Sequence, residues 1–280
     1  MDVSKIIKKI TPGFIRRVQR AKRDELVKKE FAGLSNKEVF EKIYSEKRWG
    51  SAKDVKREFS SGDGTRDDII VEKYINSVKE FFGPSAINLS AVDVGCGDFT
   101  VGSKIYENFQ YYFGVDVAVN VIEENRQLFN YDNVEFISAD ATSENLPKAD
   151  IIFVRQVLQH LSNAEIINFL KNINGRFRYM VLTESISSSK KFKPNVDIIT
   201  GPGIRIHKKS GVVLEEHPFN IAYEKKFTIL EYQKGKELFI TKVFKNPCWL
   251  RYGGRCLQGF SDLKNRATQV REEKNALSRH

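Results

Sequence analysis

The spacing of hydrophobic and polar positions changes near residue 90 and divides the chain into a helical first third and a mixed remainder. Before residue 90, apolar residues recur at intervals of three and four, which is the spacing of an amphipathic helix. Ser35 and Glu38 have the types and spacing of a capping box, and Thr65 is expected to cap the helix that ends at Gly83.

After residue 90, short apolar runs alternate with helical patterns, as in a parallel sheet with crossover helices. The expected strands are 91–94, 111–115, 134–138, 151–154 and 179–183, and the expected helices lie near 101–106, 119–129 and 164–173. Two further runs, 227–232 and 237–243, are joined by four residues, a link that permits only an antiparallel hairpin. These patterns predict an α/β fold with a seven-stranded Rossmann-like sheet, mostly parallel, with a terminal antiparallel hairpin.

The same patterns predict three regions. Residues 1–58 form a basic helical extension, residues 59–245 the α/β domain, and residues 246–280 a basic tail. Within the domain, residues 184–225 are too long for an ordinary connection, so we expect them to form a cap over the functional site.

A glycine-rich turn follows the first strand, in the order Asp93, Gly95, Cys96, Gly97. Because the glycines lack side chains, the backbone can approach a ligand closely beside the positive end of a helix. Cys96 satisfies the need for a small residue and is expected to be a packing residue. Nicotinamide-dependent enzymes share such a turn, so the turn alone does not identify the ligand.

Two carboxylates later in the chain make the prediction of the bound ligand more specific. Asp116 ends the second strand, where it can accept hydrogen bonds from both hydroxyls of a ribose. Asp140 follows the third strand and can accept the amino group of adenine, while a nearby backbone N–H, such as that of Ala141, serves the ring. A nicotinamide dehydrogenase is the main fold-level alternative, but it would need neither Asp140 nor the terminal hairpin, so we disfavour it.

The turn, both carboxylates and the hairpin together resemble class I S-adenosylmethionine-dependent methyltransferases, over about residues 90–244. The resemblance implies S-adenosyl-L-methionine as the cofactor and seven residues that bind it: Asp93, Gly95, Cys96, Gly97, Asp116, Asp140 and Ala141. A narrower resemblance, to uncharacterised bacterial methyltransferases associated with glycan biosynthesis, rests on residues 95–99, 155–162, 210–214 and 218–220. The usual third glycine of the turn is Phe99 here.

Methyl transfer requires an acceptor aligned with the sulfur–methyl bond, exclusion of water and removal of a proton. His160, shortly after the fourth strand, is the candidate base, and packing beneath the cofactor is its alternative role. Arg155 and Gln156, at the end of that strand, are further catalytic candidates that can contact either the methionine portion or the acceptor.

The candidate acceptor-binding residues are Glu184, at the end of the fifth strand, and Arg205 and His207 in the cap. We predict a small-molecule or glycan acceptor, methylated on oxygen. Residues 154–157 lack the Asp/Asn-Pro-Pro-Tyr/Phe pattern typical of nucleobase amine methylation. An RNA-modifying methyltransferase and a noncatalytic binding module that keeps the fold are the alternatives.

The composition of the chain also bears on the location of the protein and on the groups that it binds. No apolar stretch of the 280 residues is long enough to span a bilayer, and the first residues lack a signal-peptide pattern, so a cytoplasmic location is expected. The three cysteines form no CxxC pair, which excludes common zinc and disulfide frameworks, and we predict no metal.

The net charge of +10 is concentrated at the two ends, with 17 Lys and Arg against 8 Asp and Glu in residues 1–57. In residues 1–30 these cations border an apolar face. That face can contact an anionic membrane peripherally, pack on the domain, or place its cations against RNA phosphates. The sequence leaves the oligomeric state open.

Overall fold

The computed structural model describes residues 22, 25–51, 57–62 and 67–246. Most of the basic segment 1–30, Thr65 and nearly all of the tail 246–280 lie outside these residues. The predictions made for the two terminal segments therefore stay predictions.

The sheet has seven strands in the order β3-β2-β1-β4-β5-β7-β6. The strands are β1 Ser90–Val94, β2 Tyr111–Asp116, β3 Val134–Ser138, β4 Ile151–Arg155, β5 Tyr179–Ser187, β6 Lys225–Lys234 and β7 Glu237–Lys245. The first five strands pair in parallel, and β7 pairs antiparallel with both β5 and β6. The predicted Rossmann-like sheet with its terminal hairpin is confirmed.

Four α-helices accompany the sheet: α1 Asn36–Ser45, α2 Asp68–Phe82, α3 Val119–Leu128 and α4 Asn163–Ile173. Residues 25–31 are also helical. The capping boxes at Ser35 and Ser162 are both formed. The predicted cap of α2 is wrong by two residues, because Asp67 is the N-cap residue and its carboxylate accepts the N–H of Ile70.

The α-helix predicted near 101–106 is absent. Two short 3₁₀ turns, Gly102–Lys104 and Tyr106–Asn108, take its place. Phe99, just before these turns, has a left-handed φ of 55°, and its ring lies where a side chain at Gly102 would be. The chain therefore curls around a buried phenyl ring at this point.

Alternate residues of the strands face two apolar layers. One face, with Val92, Ile152 and Leu182, packs against α4 and residues 31–44. The opposite face, with Phe153 and Val181, packs against α2. The carboxyl ends of the parallel strands lie between these layers and form the floor of a cleft.

The fifth strand is longer than predicted. It runs to Ser187, because β7 pairs with it as far as Ser187 and Glu237. The cap thus begins at residue 188, and residues 188–224 contain one short 3₁₀ turn, Arg205–Lys208, and no α-helix or strand. Within the described ranges, no helix has the length and apolar character needed to cross a membrane.

Candidate functional site

A cavity of about 860 Å³ opens over the carboxyl ends of the strands. Ten of the thirteen candidate residues line it: Asp93, Gly95, Cys96, Asp116, Asp140, Ala141, Arg155, Gln156, His160 and His207. Gly97, Glu184 and Arg205 lie outside the lining. The cavity continues past β4 to Ser185 on β5 and Phe239 on β7.

The first glycine of the turn is required by a close protein contact. Gly95 has a φ of 69°, and a Cβ there would lie 2.3 Å from a methyl group of Val157. The N–H groups of Gly95 and Cys96 both donate to the carbonyl of Val115, at 2.8 and 3.0 Å. This arrangement ties the turn to the end of β2.

The second glycine makes room for a residue that the sequence analysis did not single out. A Cβ on Gly97 would lie 2.0 Å from the hydroxyl oxygen of Ser61. That hydroxyl accepts the N–H of Asp98 at 2.6 Å, and the N–H of Ser61 donates to the Asp98 carboxylate at 3.0 Å. Residues 57–62 are thereby fastened over the turn. Only the serine- and glycine-rich composition of this loop hints at the contact.

Asp116 is buried, and its two carboxylate oxygens accept the N–H groups of Gly97 and Ala118, each at 3.0 Å. Burial raises its pKa above the ordinary value. Each carboxylate oxygen can accept more than one hydrogen bond, so lone pairs remain for hydroxyl donors in the cavity.

Asp140 joins its loop to the first helix. One oxygen accepts the N–H and hydroxyl of Thr142, at 2.8 and 2.7 Å, and the other accepts the side-chain amide of Asn36 at 3.1 Å. Asn36 itself lines the cavity. Its pairing with Asp140 links positions 104 residues apart, so no local pattern could have predicted it.

Asp93 lies on the α2 side of the sheet and is almost fully buried. Its carboxylate accepts the hydroxyl of Tyr112 at 2.9 Å, and burial raises its pKa to about 7. The nearby positive charge of Arg155 acts in the opposite direction and favours the ionised form.

Arg155 is the last residue of β4, and Gln156 follows it in a different backbone conformation. The guanidinium of Arg155 lies over the ring of Tyr74, 5.3 Å from its centroid. Gln156 has a left-handed φ of 57°, and its N–H donates to the carbonyl of Thr183 at 2.7 Å. A non-glycine residue in this region costs about 1–3 kcal/mol, so the surrounding structure must hold it there.

His160 connects the turn after β4 to the cap. Its Nδ1 lies 3.1 Å from the carbonyl oxygen of Gly203, which assigns the ring proton to Nδ1 and leaves Nε2 as an acceptor. The ring packs against Trp49 with centroids 4.8 Å apart. Burial lowers the pKa of His160 to about 4, so the ring is neutral at neutral pH.

The three proposed acceptor-binding residues do not all lie on the lining of the cavity. His207 lines the cavity and is exposed. Glu184 is buried outside the cavity lining, and one of its carboxylate oxygens accepts the N–H of Leu158 at 2.9 Å. Burial raises the pKa of Glu184 to about 8. Arg205 is buried too and donates to the carbonyls of Val196 and Leu161, at 2.6 and 2.5 Å. Glu184 and Arg205 therefore support the wall instead of facing the cavity.

Residues 92–178 match a family model described as a methyltransferase domain. Strychnine O-methyltransferase of Strychnos nux-vomica is 31% identical over 83 residues, which is 30% of this chain and 23% of that protein. The chain thus matches less than a quarter of the length of that relative.

Two solved structures are also similar. Magnesium protoporphyrin IX methyltransferase of Synechocystis PCC 6803 has a TM-score of 0.48 at 15% identity, covering 76% of this chain and 99% of that one. The N-methyltransferase NodS of Bradyrhizobium japonicum WM9 has a TM-score of 0.48 at 12% identity, covering 65% and 90%.

The family match spans the glycine turn, the carboxylates after β2 and β3, and the end of β4. These are the elements that form the floor of the cavity. The similarity to a methyltransferase domain thus falls on residues that line the cavity.

Proposed function

We propose that this chain transfers the methyl group of S-adenosylmethionine to a hydroxyl group of a small molecule or glycan. One observation carries the proposal: a single cavity joins the turn and carboxylates at β1 to β3 with a second compartment at β4, β5 and β7. A donor in the first part leaves the second part open to an acceptor.

The donor fits the first compartment by the chemistry of its lining. We assign Asp140 and the backbone at Ala141 to adenine and Asp116 to the ribose hydroxyls, and their positions at the ends of adjacent parallel strands, on the lining of one cavity, support this assignment. Gly95 and Cys96 then lie beside the sulfonium. Cys96 supplies bulk only, because its thiol is buried and burial raises its pKa far above the ordinary value.

Methyl transfer is a displacement in which the acceptor oxygen bonds to the methyl carbon, the carbon–sulfur bond breaks, and sulfur keeps the electron pair. The hydroxyl proton must also leave. His160 Nε2 lies 3.5 Å from the side-chain nitrogen of Gln159, and so long a contact can be exchanged for a hydrogen bond from that hydroxyl. A ring with a pKa of about 4 is a weak base, so we assign His160 the orientation of the hydroxyl, with the proton passing to water.

The second compartment supports a hydroxylated acceptor. Its lining includes the side chains of Gln159 and Ser185, both buried, with Ser185 donating to the Gln159 amide oxygen at 3.4 Å. A bond this long is weak and can be exchanged for bonds to a ligand. The name of the curated relative, an O-methyltransferase, agrees with transfer to oxygen.

Two measurements test the proposal. Calorimetry should detect binding of S-adenosylhomocysteine, and release of S-adenosylhomocysteine from the donor should rise with some member of a panel of sugars, phenols and nucleosides. Binding of NADH without binding of S-adenosylhomocysteine would overturn the cofactor assignment. Methyl incorporation into RNA alone would replace the acceptor with the nucleic-acid alternative.

A further inference from the structure

Two buried ionisable side chains are hydrogen-bonded to the part of the chain that carries His160. Glu184, on β5, is 3% exposed and Arg205, in the cap, is 1% exposed, and both lie outside the lining of the cavity. Neither side chain can therefore touch a ligand in the cavity directly. Both bind the backbone of the turn Leu158–His160 or of the residue that follows it. Any part that they have in the reaction must pass through this turn.

Glu184 holds the first residues of the turn. Its carboxylate accepts the N–H of Leu158 at 2.9 Å, and the N–H of Gln159 is a second backbone donor to it. The first N–H groups of a helical turn have no partner within the turn, and a side-chain oxygen of the preceding residue often accepts them. Here the preceding residue is Val157, which has no such oxygen and makes no cap bond. Glu184 supplies the acceptor from a strand position 26 residues after Leu158.

Arg205 holds the other end of the turn. Its guanidinium donates to the carbonyl of Leu161, directly after the turn, at 2.5 Å, and to the carbonyl of Val196, in the cap, at 2.6 Å. Because the guanidinium is planar and rigid, these two bonds fix the position of the turn relative to the cap. The charges of Arg205 and Glu184 are opposite, and each favours the charged form of the other.

His160 lies between these two points of attachment. Its N–H donates to the carbonyl of Val157 at 3.0 Å, and Nδ1 of its ring lies 3.1 Å from the carbonyl oxygen of Gly203. The bond from the ring sets the rotation of the side chain, whereas the backbone on either side sets the point from which the side chain projects. A group misplaced by about 1 Å can lower the rate of a reaction by about 100-fold, so this backbone position matters for the chemistry.

We propose that Glu184 and Arg205 are positioning residues, which hold the turn Leu158–His160 at its two ends and so direct the ring of His160 towards the acceptor. The inference rests on the proposed function, in which His160 orients the acceptor hydroxyl. It also explains how two polar residues of the cap and β5 serve the acceptor while buried outside the cavity lining. They act through His160 and not by contact.

The competing explanation is that the two side chains only stabilise the wall of the cavity. A double-mutant cycle separates the explanations, since a residue that acts through His160 loses its effect once the ring is removed. Glu184→Ala removes the acceptor of the turn, and Glu184→Gln keeps one oxygen for it. The control Glu215→Ala removes a partly buried carboxylate that pairs with Lys226 and Lys242, outside the cavity lining.

The first readout is kcat, measured as release of S-adenosylhomocysteine with the most active member of the panel of sugars, phenols and nucleosides. Glu184→Ala should lower kcat by about 10- to 100-fold and leave the dissociation constant of S-adenosylhomocysteine within about threefold. Glu184→Gln should keep kcat within about threefold, because its carboxamide oxygen accepts the N–H of Leu158. Glu215→Ala should leave kcat unchanged. In the His160→Ala background, Glu184→Ala should lower kcat by no more than about threefold.

The second readout is the nitrogen NMR spectrum of the histidine rings, which does not depend on turnover. The chain has four histidines, so the ring nitrogens of His160 can be assigned by comparison with His160→Ala. In the wild type they should report one tautomer, with the proton on Nδ1, because the ring donates to the carbonyl of Gly203. In Glu184→Ala the shifts of the two nitrogens should approach each other, because a displaced ring exchanges between both tautomers. Glu184→Gln and Glu215→Ala should keep the spectrum of the wild type.

An equal fall in kcat caused by Glu184→Ala in the wild-type and His160→Ala backgrounds would overturn the inference. A folded Glu184→Ala with the kcat of the wild type would do so too, and so would two exchanging tautomers of His160 in the wild type, a result that requires no variant. If Glu184→Ala does not fold, Arg205→Met applies the same cycle from the other end of the turn. Failure of the wild type to bind S-adenosylhomocysteine overturns the proposed function instead, and the NMR comparison still tests whether Glu184 holds His160 in place.

Discussion

Individual glycines of this chain are constrained in two separable ways, by backbone conformation and by space. Gly95 faces both constraints, since its φ is 69° and a Cβ there would lie 2.3 Å from Val157. Gly235 has a φ of 57° with nothing within 4 Å of a Cβ, so only conformation constrains it. Gly203 has neither constraint. These three glycines form a natural series.

Alanine at each position should separate the two costs. Gly203→Ala should change the free energy of unfolding by no more than about 0.5–1 kcal/mol, and Gly235→Ala should lower it by about 1 kcal/mol. Gly95→Ala should lower it by about 2–4 kcal/mol, because overpacking adds to the backbone strain. Urea denaturation measures all three. Equal losses for Gly95→Ala and Gly235→Ala would show that Val157 moves aside without cost.

Glu184 should make stability depend on pH. Burial raises its folded-state pKa to about 8 from an ordinary 4.5, so the folded protein holds this proton more tightly than the unfolded chain does. Its contribution to stability is complete below pH 4.5 and is lost as the pH rises through about 8. Glu184→Gln keeps an oxygen for the N–H of Leu158 and cannot ionise.

The variant should therefore equal the wild type near pH 5 and exceed its free energy of unfolding by about 1–4 kcal/mol near pH 8.5. Chemical denaturation at both pH values measures the difference. A constant difference across this range would show that another group carries the titration.

At the scale of elements, hydrogen bonds join the turn Leu158–His160 to the cap. These bonds fix the position of the second compartment. Beyond the His160 bond to Gly203, the N–H of Gly201 donates to the His160 carbonyl at 3.1 Å. The hydroxyl of Thr200 accepts the N–H of Ser162 at 2.9 Å. These bonds fasten the cap to the turn, and His160 is the residue that takes part in two of them.

His160→Ala should lower kcat by about 100-fold, because loss of orientation alone can cost this much. The dissociation constant of S-adenosylhomocysteine should stay within about threefold of the wild type, because the ring is not among the donor-binding residues. The wild-type kcat should show no inflection near pH 6.5 from this ring, whose pKa is lowered to about 4. A pH profile with an acid limb at 6.5 that disappears in His160→Ala would instead identify His160 as a base.

Elements that depend on local pattern were predictable, and those that depend on distant contacts were not. The mostly parallel sheet and its terminal hairpin follow from alternating runs and one short link, and the capping box at Ser35 from four adjacent residues. The helix predicted near 101–106 is replaced by two 3₁₀ turns beside the Phe99 ring, and β5 runs beyond its predicted end because β7 pairs with it.

In the candidate site, too, local features could be predicted and distant contacts could not. Asp116 and Asp140 could be placed at strand ends from the sequence, since parallel strands end at one edge. Their partners Gly97 and Asn36 bond to them across the fold, and the Ser61 contact with Asp98 spans 37 residues. Burial of Arg205 behind the cavity depends on the path of the whole cap, which has no periodic pattern to read.

At the scale of the whole molecule, the cavity joins three parts of the chain that are far apart in sequence: the strand ends, residues 36–49 with 61–62, and the cap. A ligand that contacts all three stabilises the folded state by mass action, by about 2.7 kcal/mol at 100 times its dissociation constant. For a chain of this size that corresponds to a rise in Tm of about 5–10 °C.

Asp116→Asn should reduce this ligand-induced rise, with Asp132→Asn, at an exposed turn outside the cavity, as the matched control. The carboxamide has one acceptor oxygen where the carboxylate has two, and its amide group would face the N–H of Gly97 or of Ala118. The variant is thus less stable without ligand, so the quantity to compare is the rise in Tm caused by S-adenosylhomocysteine and not the Tm itself. The rise should be at least halved in Asp116→Asn and unchanged in Asp132→Asn. An equal rise in both variants would show that the end of β2 does not hold the ribose, and the donor would then have to lie elsewhere in the cavity.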